Sequence, residues 1–433
     1  MEKKRVFSKS LLLLAITSIM LFAMSITSMA ATSVTNMRQT DAEENSAKVE
    51  FNGADGAEGY YIYYSSNGGK KWTRVDDDEY PDSYYPYYTF YNLNVGSTYK
   101  VKAVPVYKKV IDYSWNYVYE GKETQAGVCE IVTAPSSNDL GIVKQTAATY
   151  NSVTINWSPV YGATKYVIYR DGGMSDGAKV AEVKGTNTSV KIKAESGSNS
   201  SYYVYPVRVS STGYQGVDSY ECVTGVMAAP KAPVKVASYK DGNLQWDTDN
   251  ASKVTVGWDR NQNGVSPDGF KVAIYSVDGK KKLKTYNINS TYKTSQEISL
   301  KAIKNKGFKV KVAGYIKVNG KKCYSKWSKY KVVIPQADIK VAKKSKTSVK
   351  LSWKKVANAT GYTVYVCKNA SAFNDNKVWK KVAKVGKKTT SYKVKKLKKG
   401  NYAGFYVIPT VKVKGKTYKA DPTVYKKIYM STY

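Results

Sequence analysis

Asp76-Asp77-Asp78-Glu79 and Asp82 crowd carboxylates into one short stretch. Carboxylates at this density suit acid–base hydrolysis of the glycosidase type, which needs only a pair. They also suit a hard cation held by several oxygens, but the spacing and glycine of an EF-hand loop are missing, so no metal is expected. Tyr84, Tyr85, Tyr87, Tyr88 and Tyr91 follow at once. Trp72 precedes the run, and Tyr113, Trp115, Tyr117 and Tyr119 come from a second loop or hairpin. Flat apolar rings with polar edges suit sugars or protein partners. Trp72, Tyr84, Tyr85, Tyr88, Tyr91 and Trp115 are therefore the candidate ligand-binding set. Alternate tyrosines also suit plain packing of strands and hairpins.

A second candidate is basic. Lys395, Lys396, Lys398 and Lys399 flank Leu397, and Lys412, Lys414 and Lys416 alternate further on. Alternation in a strand places side chains on one outer face. Lysine is a compact point charge, suited to diffuse attraction by a polyanion rather than to bidentate recognition. The competing reading is solubility and protection of sheet edges. The chain of 433 residues has 69 Lys+Arg against 33 Asp+Glu, net +36. That charge is uneven: residues 31–135 carry −5, 136–230 carry +1, 231–336 carry +15 and 337–433 carry +22.

There is no histidine, which excludes histidine triads, histidine metal ligands and imidazole bases. No Gly-rich phosphate loop or Gly-x-Ser-x-Gly elbow is present. No cofactor is expected, and the chain reads as non-enzymatic. Cys129, Cys222, Cys323 and Cys367 are widely spaced with no Cys-x-x-Cys pair, so they read as isolated, mostly buried thiols rather than a zinc site.

Residues 1–30 read as an export signal. Lys3, Lys4, Arg5 and Lys9 precede an apolar run from Leu11 to Ile26, and Ser28-Met29-Ala30 supplies the small-x-small exit. The expected location is secreted or cell-surface, with no transmembrane segment after cleavage. No cysteine lies near residue 30 to carry a lipid, and no Leu-Pro-x-Thr-Gly sorting motif is found, so covalent anchoring is not expected.

The elements that must position these groups recur four times. Ala47 to Phe51, Val153 to Trp157, Val254 to Trp258 and Val349 to Trp353 alternate apolar with polar, the period of a half-buried strand. Tyr60, Tyr166, Phe270 and Tyr362 open the next strand. Leu93 with Tyr99, and Leu397 with Tyr402, bracket a glycine turn and suit a tyrosine corner, in which the phenol bonds back to the backbone. Asn319-Gly320 and Lys414-Gly415 mark hairpin turns. Pro135, Pro230, Pro233 and Pro335 close the first three units, and no segment reads as a long helix. These features predict an all-β chain of tandem antiparallel β-sandwiches of about seven strands each.

The apolar-x-apolar-x-Trp strand, the Tyr-x-Val opening and the Leu-x(4–5)-Tyr corner resemble the fibronectin type III family. The second and fourth repeats match best, and the third has an insertion before Phe270. The resemblance implies four fibronectin type III/immunoglobulin-like beads, over 31–135, 136–230, 231–336 and 337–433, and no catalytic module. Short linkers favour an extended, semi-rigid array. Three functions compete. The first is a binding or adhesion protein held by its lysine-rich half on an anionic cell-wall polymer, polysaccharide or matrix, with an extracellular protein as a further partner; nucleic acid is disfavoured by export. The second is a carbohydrate-binding accessory protein, and the third a structural spacer.

Overall fold

Strands form where the alternation predicts them. The strand Ser348–Trp353 buries Val349, Leu351 and Trp353 and leaves Lys350 in solvent. A computed structural model describes residues 32–237, 245–246, 253–261, 263–304, 306–368, 378–422 and 424–431, with backbone alone at 245, 246 and 424. The proposed export signal lies outside the described residues.

The first repeat contains β1 (Thr35–Ala42), β2 (Ala47–Asn52), β3 (Gly59–Ser65), β4 (Thr73–Arg74), β5 (Tyr87–Phe90), β6 (Thr98–Val110), β7 (Tyr117–Gly121) and β8 (Gly127–Val132). One sheet has the order β1-β2-β5; the other runs β4-β3-β6-β7, with β8 also paired to β6. The final strand of a seven-strand sandwich is thus broken into β7 and β8. The same pair of sheet orders recurs three more times along the chain, always antiparallel within the repeat. The chain is all-β, in tandem antiparallel sheets of fibronectin type III/immunoglobulin-like type, as the sequence predicts.

Contacts divide the chain into two compact units. One comprises residues up to 143 with 157–188 and 203–223; the other comprises 144–156, 189–202 and 224–433. In the first unit Val49, Ile62, Val101 and Ile131 form a fully buried core. In the second, the third repeat buries Val256, Val272, Ile298 and Val310, and the fourth buries Val349, Val364, Phe405 and Met430. Each such side chain contributes about 1.5–3 kcal/mol by leaving water.

The anchor residues of the four repeats meet their strand-opening partners ring to ring. Phe51–Tyr60, Trp157–Tyr166, Trp258–Phe270 and Trp353–Tyr362 have centroids 4.8, 5.1, 5.3 and 5.5 Å apart. The phenols of Tyr166 and Tyr362 also accept hydrogen bonds from the N–H groups of Val160 and Val356, each six residues upstream, at 2.9 and 3.0 Å.

The tyrosine corner forms in the first repeat, where the Asn94 N–H donates to the buried Tyr99 phenol at 2.9 Å. It does not form in the fourth. Tyr402 is exposed and lies against Tyr429. Tyr99 is six residues beyond Leu93, and Tyr402 only five beyond Leu397. A one-residue change in a period-two strand moves the side chain to the opposite face.

Within the second unit the third and fourth repeats are not bare beads on a linker. Gln245–Trp246, between the third repeat's strands Val234–Ala237 and Lys253–Asp259, pairs in parallel with the strand Val424–Met430. Ile334 of the third repeat joins Cys367, Trp379, Tyr406, Ile408 and Tyr425 in one buried cluster. The four cysteines form no disulfide with one another; only Cys367 is fully buried and the others are half-buried. Among the described residues no helix is long and apolar enough to cross a membrane.

Candidate functional site

Arg74 on β4 organises the acidic loop. Its Nε donates to Asp82 Oδ2 at 3.0 Å, and its two terminal nitrogens donate to the carbonyls of Asp78 and Tyr80, both at 2.7 Å. The guanidinium also lies 3.7 Å from the Tyr61 ring centroid. Asp82 is sealed from solvent and also accepts the Ile62 N–H. Burial raises its carboxyl above the usual range, and Arg74 partly offsets this. Asp76, Asp77, Asp78 and Glu79 stay exposed. Among the described residues no three carboxylate, cysteine or histidine groups converge on a common cation position.

The loop fixed by Arg74 carries Tyr80 and Tyr84 to β7. Tyr80 packs edge-on against Tyr119 at 5.9 Å, and Tyr117 against Tyr119 at 5.5 Å. The Tyr119 phenol is pushed up to about 12, first by burial and then by the Tyr117 and Tyr84 hydroxyls beside it. Tyr80, Tyr84, Tyr117 and Tyr119 thus form one surface, with Tyr80, Tyr84 and Tyr117 exposed.

The six predicted aromatics do not share this surface. Tyr84 alone belongs to it. Tyr85 is exposed and stacks on Tyr87 at 5.6 Å. Tyr88 is half-buried against Phe90, and with Tyr91, Tyr64, Asn92 and Asn94 it lines a separate cleft of about 570 Å³. Trp115 stands on the β6–β7 hairpin tip, 80% exposed. Trp72 is half-buried, 5.0 Å from the Lys102 ammonium, which also pairs with Glu123 at 2.8 Å. Tyr84, Tyr85, Tyr88 and Tyr91 are neighbours in sequence, but the loop before β5, β5 itself and the turn after it send them to separate surfaces.

The predicted lysines are all exposed. They form two groups rather than one. Lys395, Lys396, Lys398 and Lys399 precede the strand Asn401–Val413, while Lys412, Lys414 and Lys416 lie at its far end. At ~3.3 Å per residue, that strand separates them by roughly 40 Å. The second group does not share a face. Lys412 pairs with Thr417 and Val413 with Lys416 across the Lys414-Gly415 turn. Paired residues share a face, so Lys412 and Lys416 point to opposite sides.

A basic cleft missed in the sequence lies in the second unit. About 590 Å³ of space is lined by Lys281, Lys304 and Lys306 of the third repeat and by Lys412 and Lys414 of the fourth, with Asp278 among them. The signal for it was split over more than a hundred residues.

No family model and no curated protein matches the sequence. Solved structures that resemble the chain include the FN1–FN3 domains of chicken CNTN1, at 15% identity and TM-score 0.23, covering 68% of this chain and 97% of that one. A two-domain fibronectin type III segment of chicken tenascin has 15% identity and TM-score 0.25, covering 45% and 99%. The central fibronectin-III array of RIM-binding protein has 12% identity and TM-score 0.17, covering 70% and 98%. The fold assignment rests on the strand orders above.

Proposed function

We propose that this chain is an exported, non-enzymatic binding protein of four fibronectin type III-like modules, bounded near residues 31, 136, 231 and 337. Its lysine-rich third and fourth modules hold it on an anionic polymer of a cell envelope or matrix. The exposed tyrosines of the first module face a protein or glycan partner. The observation that carries this is charge without internal compensation: residues 337–433 hold 25 basic and 3 acidic residues. At physiological salt such attraction acts over about 8 Å. Bound protein on producing cells, or on an immobilised anionic polymer, should elute as salt rises. Release that ignores ionic strength overturns the electrostatic half of the proposal.

A carbohydrate-binding role is the second reading, favoured by the exposure of Tyr84, Tyr85, Tyr91 and Trp115. Glycan binding that persists in Tyr84→Ala, Tyr88→Ala and Trp115→Ala variants would reject those residues as the site. A spacer without a ligand would bind no better than a charge-matched control.

A further inference from the structure

At three successive places the loop entering the sixth strand of one repeat meets the loop entering the third strand of the next. In the first unit Gly96 meets Gly162, and a Cβ on Gly162 would fall 2.0 Å from the Gly96 carbonyl oxygen. In the second unit Gly197 meets Gly264, where a Cβ would fall 2.4 Å from the Gly197 carbonyl oxygen. These two meetings are closed, backbone against backbone. Where the third and fourth repeats meet, Lys306 bridges to Ala357 instead, and the basic cleft opens beside it.

Two of the cleft lysines hold backbone conformations that lysine disfavours. Lys304 has φ 54° and Lys414 has φ 47°. This left-handed region favours glycine and asparagine. The matching hairpin of the third repeat places Asn319 there, at φ 48°, before Gly320. The fourth repeat places Lys414 before Gly415. What lysine adds over asparagine is reach and charge at the cleft, where Lys414 faces Asp278 and helps hold that carboxylate ionised, after the Ser276 hydroxyl and the backbone of Lys280.

We propose that this cleft binds one chain of a phosphodiester polymer, of the polyol-phosphate kind, between the third and fourth repeats. The inference rests on the polyanion reading above and names its ligand. Five lysines face one carboxylate, and no arginine follows Arg260 in the chain. Lysine binds phosphate as a point charge without a fixed geometry, which suits a flexible chain of phosphates, and the arginine fork that grips carboxylate and phosphate alike is missing here. Leu283 and Ile303 supply apolar wall for the carbon units between phosphates. The volume falls in the range of small-ligand sites and admits a few repeat units, not a folded partner.

The test titrates the full-length protein with a glycerol-phosphate polymer at several salt concentrations. The variant Lys304→Asn/Lys414→Asn removes two charges and relieves two left-handed lysines. Its melting temperature should stay level or rise while affinity falls tenfold or more. The salt slope should fall by about two, near one per lysine engaged, as for nucleic-acid phosphates. Lys395→Gln/Lys398→Gln, at the other end of the strand, removes equal charge and should cost under threefold. Equal weakening by both variants overturns the cleft and leaves the diffuse polyanion reading standing. Equal affinity for polygalacturonate overturns the phosphate class. Tighter binding to phosphatidylglycerol vesicles than to the polymer makes lipid the phosphate source and overturns the polymer. If wild-type protein binds none of the three, the polyanion reading itself fails.

Discussion

The phenol of Tyr362 and the indole of Trp353 touch, yet they stand in opposite positions on hydrogen bonding. Tyr362 is the acceptor for the buried Val356 N–H. The Trp353 Nε1 is buried with no partner, as are those of Trp157 and Trp258. Removing an acceptor strands a donor at about 1–3 kcal/mol, whereas removing an unpartnered donor relieves a penalty of that size. Tyr362→Phe should therefore lower stability by about 1–3 kcal/mol in urea titration. Trp353→Phe should stay within about 1 kcal/mol of the parent, since relief offsets the lost ring volume; Phe51 already fills this position in the first repeat. The reverse order would refute the account. The ring pairs were legible in the sequence because both partners are apolar and lie at near-fixed offset. The hydrogen bond was not, because a tyrosine's place in the alternation says only that it is buried. Tyr402 shows the converse: it fits a corner by type, and a single missing residue turns it outward.

At the scale of elements, the acidic loop is a carboxylate cluster in sequence and a strap fastened by Arg74 in the fold. The partner was hidden because Arg74 sits on a two-residue strand and looks like one more surface charge. Its side chain is 14% exposed and that of Asp82 is 1% exposed. Breaking such a buried pair from one side costs about 3–5 kcal/mol, mostly from the charge left behind. Arg74→Ala should lower the denaturation midpoint accordingly and open the 76–86 loop to protease. It should also separate Tyr80 and Tyr84 from Tyr119, whose titration would then fall back from about 12 toward the ordinary tyrosine value near 10. A protease pattern identical to the parent's would show that the loop holds itself. Strand positions were legible from the period of two; the hairpin turn that puts Lys412 and Lys416 on opposite faces required its register.

At the scale of the molecule, the sequence did carry a sign that the fourth repeat is covered on a second side. Phe405-Tyr406-Val407-Ile408 is apolar without interruption, and a strand apolar on both faces is buried on both. Val407 faces the repeat's own core and Tyr406 the cluster shared with Ile334 of the third repeat. Beads joined only by linkers have no such cluster, so the two repeats should unfold in one transition. Burial, and then neighbouring Tyr365, raises the Tyr406 phenol well above its ordinary value. An acid whose folded pKa is raised leaves stability intact below its unfolded value, near pH 10, and removes it as pH climbs from there. Cys129, pushed up to about 12 by burial, acts in the same sense in the other unit above pH ~9. The denaturation midpoint should therefore fall between about pH 9 and 12. The measurement belongs in 1 M salt, where screening to about 3 Å keeps lysine deprotonation from masking the effect through relieved repulsion. Tyr406→Phe should flatten the fall for the third and fourth repeats without abolishing that of the first unit. A Tyr406→Phe profile parallel to the parent's would place the alkaline loss elsewhere. Two separate transitions for residues 231–433 would show that the shared cluster does not couple the repeats.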